Sequence, residues 1–221
     1  MADLDARSAA GRRPLALRRP LVGAALHLVE RLAAVVGLIM VAPLLALIAL
    51  AIAVSDPGPV LFRQVRVGQY GRRFTIYKFR TMWVGAETQL DDLLAAEGID
   101  EQSPFDKILD DPRVTRVGRF LRRSSLDELP QLWNVVTGTM SLVGPRPQTP
   151  AEVASYDDSA WRRLLVRPGI TGLWQVSGRN DLSSDRALQL DAEYGQNWSP
   201  MLDVRVLGRT AGAVVTQRGA Y

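Results

Sequence analysis

The most extended pattern along the chain is an apolar run. From Leu32 to Val54, 23 consecutive positions carry no charged side chain. As a helix this run would be about 34 Å long, enough for the roughly 30 Å hydrocarbon core of a bilayer. It exceeds the apolar core of a signal peptide, although Ala51-Ile52-Ala53 mimics a cleavage site. Pro43 falls at its midpoint and can interrupt the helical hydrogen bonds. The run could therefore span straight, or turn at Pro43 and return as a re-entrant hairpin. Arginine distinguishes the two courses. Residues 12–31 hold five Arg and residues 55–74 hold four. Cytoplasmic flanks carry the Lys/Arg excess, so a hairpin with both ends on the cytoplasmic side is expected. Residues 1–31 form a basic N-terminal segment, with a short helix over 21–31.

Beyond the turn signal Asp56-Pro57-Gly58-Pro59 the patterns shorten. Residues 60–62 and 73–79 read as strands of a hairpin joined through Gly68 and Gly71. Alternation puts Lys78 and Arg80 on one side of the second strand. Helical period returns over 85–97, with Ala86, Leu90, Leu93 and Leu94 apolar. Residues 97–111 are polar and read as a loop. Val117, Phe120 and Leu121 mark the core side of a further helix, with Arg119, Arg122 and Arg123 off it. Ser125 and Glu128 have the spacing of a capping box, and Pro130 suits a first turn. Leu126, Leu129, Leu132, Trp133 and Val136 then share one helical face, and Gly138 is a natural stop. Residues 141–143 and 173–176 read as strands, and 161–166 and 185–194 as helices. From Trp198 to Val215, apolar positions interleave with Arg205 and Arg209. That pattern predicts one or two amphipathic helices suited to a membrane surface. The expected fold class is α+β. A small domain, residues 55–221, would be held to the membrane by the hairpin over 32–54 and by interfacial helices.

Composition narrows the chemistry. Lys and Arg number 27 against 23 Asp and Glu, a net charge of +4. Such a balance suits nucleotides, anionic lipid or nucleic acid. With 7% aromatic residues and no recognised module, nucleic acid is set aside. There is no Cys, and His27 is the only His. Thiolate sites and His-based triads are thereby excluded. A metal would have to bind through carboxylates, which favours Mg²⁺ or Mn²⁺.

Asp127 and Glu128 are adjacent at the start of the expected helix and point away from its apolar face. Acids there can simply complement the helix dipole. They can also serve phosphate chemistry with a metal, because arginines surround them in sequence. Arg122 precedes them. Arg146 stands between Pro145 and Pro147, and Arg167 before Pro168, each in a turn stiffened by proline. Arginine forks bind phosphate oxygens bidentately, so Arg122, Arg146 and Arg167 are expected to contact a phosphorylated substrate.

Four blocks resemble, in the same order, the bacterial monotopic phosphoglycosyl transferases, also called bacterial sugar transferases. They are Lys78-Phe79-Arg80-Thr81-Met82, Ser125-Leu126-Asp127-Glu128-Leu129-Pro130-Gln131, Ser141-Leu142-Val143-Gly144-Pro145-Arg146-Pro147 and Arg167-Pro168-Gly169-Ile170-Thr171-Gly172. The resemblance covers roughly residues 30–221. It implies the same hairpin, a UDP-sugar donor, a polyprenyl phosphate acceptor and a place on the cytoplasmic face of the bacterial inner membrane. It makes Asp127 and Glu128 the catalytic dyad, with Asp127 the nucleophile. Both would also bind the metal. Lys78, Arg80 and Arg179 join the three arginines as substrate-binding positions. Larger members carry an additional N-terminal membrane domain, so a minimal catalytic form is expected. The pathway would be that of a surface glycan, and a homo-oligomer is allowed. The competing class is a polybasic membrane-attached adaptor, which needs no adjacent Asp and Glu. The sugar is not legible.

The hairpin carries a testable consequence. Cysteines introduced at Ala10 and Tyr70, in a chain that has none, should both escape an impermeant thiol reagent added to intact cells. Labelling of either one means a straight span.

Overall fold

The computed structural model describes residues 20–89, 111–157, 159–178 and 182–216. The basic segment before residue 20, most of the helix expected over 85–97, the loop expected over 97–111 and Arg179 lie outside the described residues. Helix α1 runs from Pro20 to Ser55 and joins the two helices expected over 21–31 and 32–54. The break expected at Pro43 does not occur: the chain is helical on both sides, with Pro43 inside the element. Pro43 removes one hydrogen bond. Opening a turn among apolar neighbours would strand several more backbone groups, so continuing the helix is cheaper. At 36 residues α1 is about 54 Å long. It is long and apolar enough to cross a membrane by length and composition.

One stripe of α1 faces the rest of the protein. Leu26 packs on the cluster of Val143, Val166, Tyr194, Trp198 and Val206. Ala34 joins Ile76, Val135 and Met140. Leu45, Ile48 and Ile52 meet Phe79 and Leu121. These positions recur at helical spacing. From Leu26 to Ile52 they cover about 39 Å of helix at 1.5 Å per residue. The other faces leave Leu28, Leu32, Val36, Ile39, Met40, Leu47, Leu50 and Val54 exposed.

After α1 come strands β1 (Leu61–Val67) and β2 (Arg73–Phe79), paired antiparallel from Leu61 opposite Phe79 to Val67 opposite Arg73. The hairpin turn is a short 3-10 segment, Gln69–Gly71. Tyr70 and Gly71 there both have positive φ, 57° and 77°. Another 3-10 turn spans Ala86–Gln89. Helix α2 (Arg116–Ser124) is capped by Thr115, whose hydroxyl accepts the Gly118 N–H at 2.8 Å. Leu121 is buried, but Phe120, expected beside it in the core, is 64% exposed. The buried face of α2 centres on Gly118 and Leu121, and Phe120 lies about 100° round the helix from Leu121.

The segment expected to start a helix at Ser125 is instead a 3-10 turn, Leu126–Gln131, joined to the short helix α3 (Leu132–Thr137). Gly138, with φ of 76°, ends α3 as expected. Trp133, assigned to the apolar face, is 53% exposed, because the tighter 3-10 turn shifts the phase of α3. Strand β3 (Ser141–Val143) pairs parallel with β4 (Gly169–Thr171). Between them lie α4 (Pro150–Ala154) and a 3-10 turn, Ala160–Leu165. No strand forms at 173–176. Those residues turn, with the Val176 N–H on the Gly172 carbonyl, and Leu173 and Trp174 pack on Ala187 and Leu190 instead. Helices α5 (Ser184–Asn197) and α6 (Pro200–Thr216) complete the chain. Mixed helix and strand around a long apolar helix agrees with the expected α+β class.

Gly118 allows α2 to lie on the end of β2: a Cβ there would stand 2.0 Å from the Thr81 carbonyl oxygen. Gly118→Ala should therefore destabilise the domain by about 1–3 kcal/mol, the usual range for overpacking. Thermal unfolding of the two purified proteins reads this directly; an unchanged midpoint would mean that α2 is not held at this distance.

Candidate active site

Ser125 sets the geometry of the acidic pair. It is the C-terminal cap of α2, with φ of 57°, and its N–H bonds to the Arg122 and Leu121 carbonyls. A left-handed backbone is incompatible with the extended conformation of an N-cap, and its side chain makes no capping bond. The expected capping box is therefore absent at Ser125. A complete one exists at Thr149 and Glu152, on α4. The reversal at Ser125 turns the chain back so that the 3-10 turn lies against β2.

Lys78 on β2 reaches Glu128 through a 2.5 Å contact from Nζ to Oε1. Arg146 Nη1 stands 3.5 Å from the same oxygen. Arg122 projects from α2, its Nε donating to Thr81 Oγ1 at 2.9 Å. Burial lowers the pKa of Arg122, and the charges of Asp127 and Asp111 oppose that shift. The pKa of Asp127 is pushed up to about 6. Burial is the main cause and the adjacent Glu128 charge the next, while Lys78, Arg122 and Arg146 pull in the other direction. The structure thus brings together Lys78, the stretch that holds Arg122, Asp127 and Glu128, and Arg146 from three parts of the chain.

Two expected positions lie elsewhere. Arg80 donates to the Asp56 carbonyl and stands 3.5 Å from the Asp56 carboxylate, so it ties β2 to the end of α1. Arg167 is half-buried, and desolvation lowers its pKa. The charges acting on it are those of Arg31 and Glu30 on α1 and of Tyr70 in the β1–β2 turn. His27 bonds to Glu30 at 2.9 Å, consistent with a side chain at an interface rather than a metal ligand.

Periodicity did not reveal the support behind Arg146. Arg163 and Asp191 form an ion pair with side chains only 1% exposed. Asp191 also accepts the Arg146 N–H at 3.2 Å, and Arg163 donates to the Arg146 carbonyl. Both backbone polar groups of Arg146 are therefore held by one buried pair. Tyr156 extends the network to Gln148. Arg66, also unassigned from the sequence, donates to the Pro147 carbonyl at 3.3 Å and to Glu152 at 3.2 Å. An open cleft beside the dyad is lined by Arg66, Lys78, Glu128, Gln131, Arg146 and Gln175. Three cations against one carboxylate suit an anionic ligand. The Thr149-Pro150-Ala151-Glu152 spacing was the available sequence signal for this corner.

Among the described residues no group of three or more His, Cys, Asp or Glu could hold a metal. The dyad alone supplies two carboxylates. That is compatible with Mg²⁺, which is commonly held by one or two carboxylates with substrate phosphates and water completing its shell.

A family model described as bacterial sugar transferase matches residues 23–217. Among curated proteins, the chain is 46% identical over 169 residues to the undecaprenyl-phosphate galactose phosphotransferase of Salmonella typhimurium, covering 75% of this chain and 35% of that protein. It is 42% identical over 205 residues to the exopolysaccharide production protein ExoY of Rhizobium meliloti, covering 92% of this chain and 91% of ExoY. The UDP-glucose:undecaprenyl-phosphate glucose-1-phosphate transferase of Xanthomonas campestris is 41% identical over 200 residues, 87% of this chain and 39% of that protein. The chain thus spans little more than a third of the length of the Salmonella and Xanthomonas relatives and nearly all of ExoY.

The raised pKa of Asp127 has a stability consequence. An unfolded Asp titrates near 3.9, below its folded value of about 6. The unfolded state therefore loses its proton first, and stability falls as pH rises from about 4 through 6. Asp127→Asn removes this penalty. The variant should gain stability over the parent as pH rises across that window, reaching a plateau above 7. Equal denaturation midpoints for the two at pH 4.5 and 7.5 would contradict it.

Proposed function

The chain belongs to the bacterial sugar transferase family, and we propose that it moves a sugar 1-phosphate from a UDP-sugar to a polyprenyl phosphate at a membrane surface. The observation that carries this reading is the half-buried carboxylate of Asp127 beside Glu128 and within the field of Lys78, Arg122 and Arg146. An anionic nucleophile can approach an anionic diphosphate only where positive charge offsets the repulsion. The names of the Salmonella and Xanthomonas relatives carry galactose and glucose. UDP-galactose and UDP-glucose are accordingly the first donors to examine, and exopolysaccharide assembly is the pathway class.

In the proposed mechanism, ionised Asp127 attacks the sugar-bearing phosphorus of the donor. A bond forms between its carboxylate oxygen and that phosphorus, and the bond from phosphorus to the bridging oxygen breaks. UMP leaves with both electrons of that bond. A phosphate oxygen of the polyprenyl acceptor then attacks the same phosphorus and releases the Asp127 carboxylate. Dividing the transfer into two displacements lets one carboxylate serve both substrates in turn. Lys78 and Arg146 hold Glu128 in place and face the cleft, where their charges can bind the diphosphate. Arg122 offsets the charge at Asp127. Mg²⁺, held by Asp127 and Glu128, would neutralise phosphate charge. The Arg163–Asp191 pair keeps the Arg146 backbone fixed while its side chain engages ligand.

Membrane attachment obeys the same logic. The acceptor headgroup lies at a bilayer surface, and the donor is soluble. Helix α1 touches the rest of the protein near both of its ends, through Leu26 and Ile52. A straight transmembrane path would separate those ends by a bilayer, whereas one folded domain contacts both. This supports a monotopic arrangement in which both ends of α1 stay on the side of the folded domain.

The decisive experiment uses a donor labelled in the sugar, incubated with the protein and Mg²⁺ but no lipid. Labelled sugar phosphate should be recovered on the peptide containing Asp127, and polyprenyl phosphate should then chase it into lipid. Asp127→Asn should lower turnover at least a thousandfold, on the order expected for losing a nucleophile. Lipid-linked product without any adduct would mean direct transfer.

A further inference from the structure

Among the described residues, one polar side chain in the cleft beside the dyad stands without a hydrogen bond. Arg66 is taken up by the Pro147 carbonyl and Glu152, Lys78 and Arg146 by Glu128, and Gln175 donates to the Ile170 carbonyl at 3.3 Å. Gln131 lines the same cleft and is only 3% exposed. It makes no capping bond to α3, and its amide has no other partner among the described residues. Asn134, the next buried amide in the chain, is fully engaged. It donates to the Thr75 carbonyl at 2.7 Å and accepts the Tyr77 N–H at 3.3 Å. A buried carboxamide without a partner is costly, and native structures seldom hold one without a use for it. The amide atoms of Gln131 are not fully enclosed, and the cleft is where this residue meets the surface. The 3-10 turn Leu126–Gln131 supplies the alignment. Residues three apart eclipse in such a turn, so Gln131 stands in line with Glu128, about 6 Å further along the axis. In the α-helix expected from the sequence the two would be turned about 60° apart.

We propose that Gln131 determines specificity in the transfer, its amide hydrogen-bonding the hydroxyl at C2 of the donor sugar. The inference rests on the reaction proposed above and names the group that is recognised. A carboxamide presents an accepting oxygen and a donating nitrogen together. The ionised diphosphate has no hydrogen to give, so it would leave the amide oxygen unpaired beside an anion. A hydroxyl both donates and accepts, and can answer either end of the amide. Gln131 belongs to the same short turn as Asp127, so the group it reaches must lie close to the attacked phosphorus. On the donor, the nearest polar group beyond the phosphate oxygens is the hydroxyl on the carbon next to the phosphate-bearing one. The ribose hydroxyls and the base lie past a second phosphate. The contact would also last through both displacements, because the sugar phosphate stays on Asp127 when UMP leaves.

The test measures nucleotide release by the full-length protein with Mg²⁺ and polyprenyl phosphate. The donors are UDP-glucose and UDP-galactose, each beside its 2-deoxy counterpart. The bond that breaks joins phosphorus to oxygen, so removing a sugar hydroxyl leaves intrinsic reactivity nearly unchanged and the rates report recognition. Loss of the hydroxyl should lower kcat/KM about a hundredfold, because the amide is then left unpaired in the complex. Gln131→Met keeps the length of the side chain without the amide. In this variant the gap should close to within about threefold, through slower use of the hydroxylated donor. Its thermal midpoint should be equal to or above that of the parent, since an unpaired amide has been removed. A lowered midpoint with equal losses on both donors would make Gln131 a support of the fold and overturn the proposal. An undiminished gap in the variant would give the hydroxyl to another residue. Equal rates with and without the hydroxyl in the parent would overturn the proposal with no variant needed. Donors carrying 2′-deoxyribose, or cytosine in place of uracil, complete the set. An effect of Gln131→Met confined to them would assign the amide to the nucleoside and refute the sugar contact. Release from none of the donors would overturn the transfer itself, and this inference with it.

Discussion

Helix α1 must be bare on most of its circumference and yet carry the protein on one narrow stripe. Leu26, Ala34, Leu45, Ile48 and Ile52 supply that stripe, and three of the hydrophobic clusters are each built partly on it. Among the described residues no large sheet serves as a scaffold: the strands make two pairs. Burial against α1 therefore orders β2, α2 and α3 relative to one another. Exposing the remaining side chains to water would be costly at about 25 cal/mol per Å², so these faces call for apolar surroundings. The same constraint gives the proposed reaction its setting, since a helix immersed in lipid keeps the attached domain where a lipid-linked phosphate would be found.

Around the dyad, electrostatics and packing oppose each other. Burial and mutual repulsion favour protonated Asp127, whereas three cations favour its ionised form, and the outcome is a carboxyl titrating at about 6. A group so placed is ionised at neutral pH but held in an unfavourable environment, the condition in which an attacking carboxylate gains most from forming a bond. Lys78 and Arg146 meet at one oxygen of Glu128, so in the proposed reaction binding the diphosphate and orienting the dyad would draw on the same two side chains. The rigidity comes from behind. Arg163 and Asp191 are almost completely buried and grip the backbone of Arg146 on both sides. Buried ion pairs are weak contributors to net stability but strongly penalise any arrangement in which one partner is lost. That property suits a loop whose backbone is held while its guanidinium faces the cleft.

Much of the fold was legible in the amino-acid order. The apolar run, the β1–β2 hairpin, the stop at Gly138, strand β3 and helices α5 and α6 all arise from local pattern, because period and turn chemistry act over a few residues. The acidic pair and the proline-stiffened Arg146 could also be recognised, since adjacent charges and Pro-Arg-Pro are local facts. Sequence failed where two local signals competed. Ser125 has the spacing of a helix start, yet it serves as the end of α2, and only the packing of both segments on β2 decided between them. Phe120 and Trp133 fit apolar periodicities by type and are nevertheless exposed, because the phase of a short helix is set by its neighbours.

What the sequence determined by itself was which groups are available: a carboxylate pair, an excess of arginine, no thiol, one imidazole and one long apolar helix. The tertiary structure decided which of them meet. Lys78 and Glu128 are 50 positions apart, and Arg163 and Asp191 are 28 apart. No local rule links such pairs. Arg80 and Arg146 read alike as phosphate ligands, but the first is committed to Asp56 and the second faces the cleft. The raised pKa of Asp127 likewise belongs to no residue alone. It arises because burial in a low-dielectric site and distance to charge are properties of the folded chain, and both vary over ångströms that the order of residues does not encode.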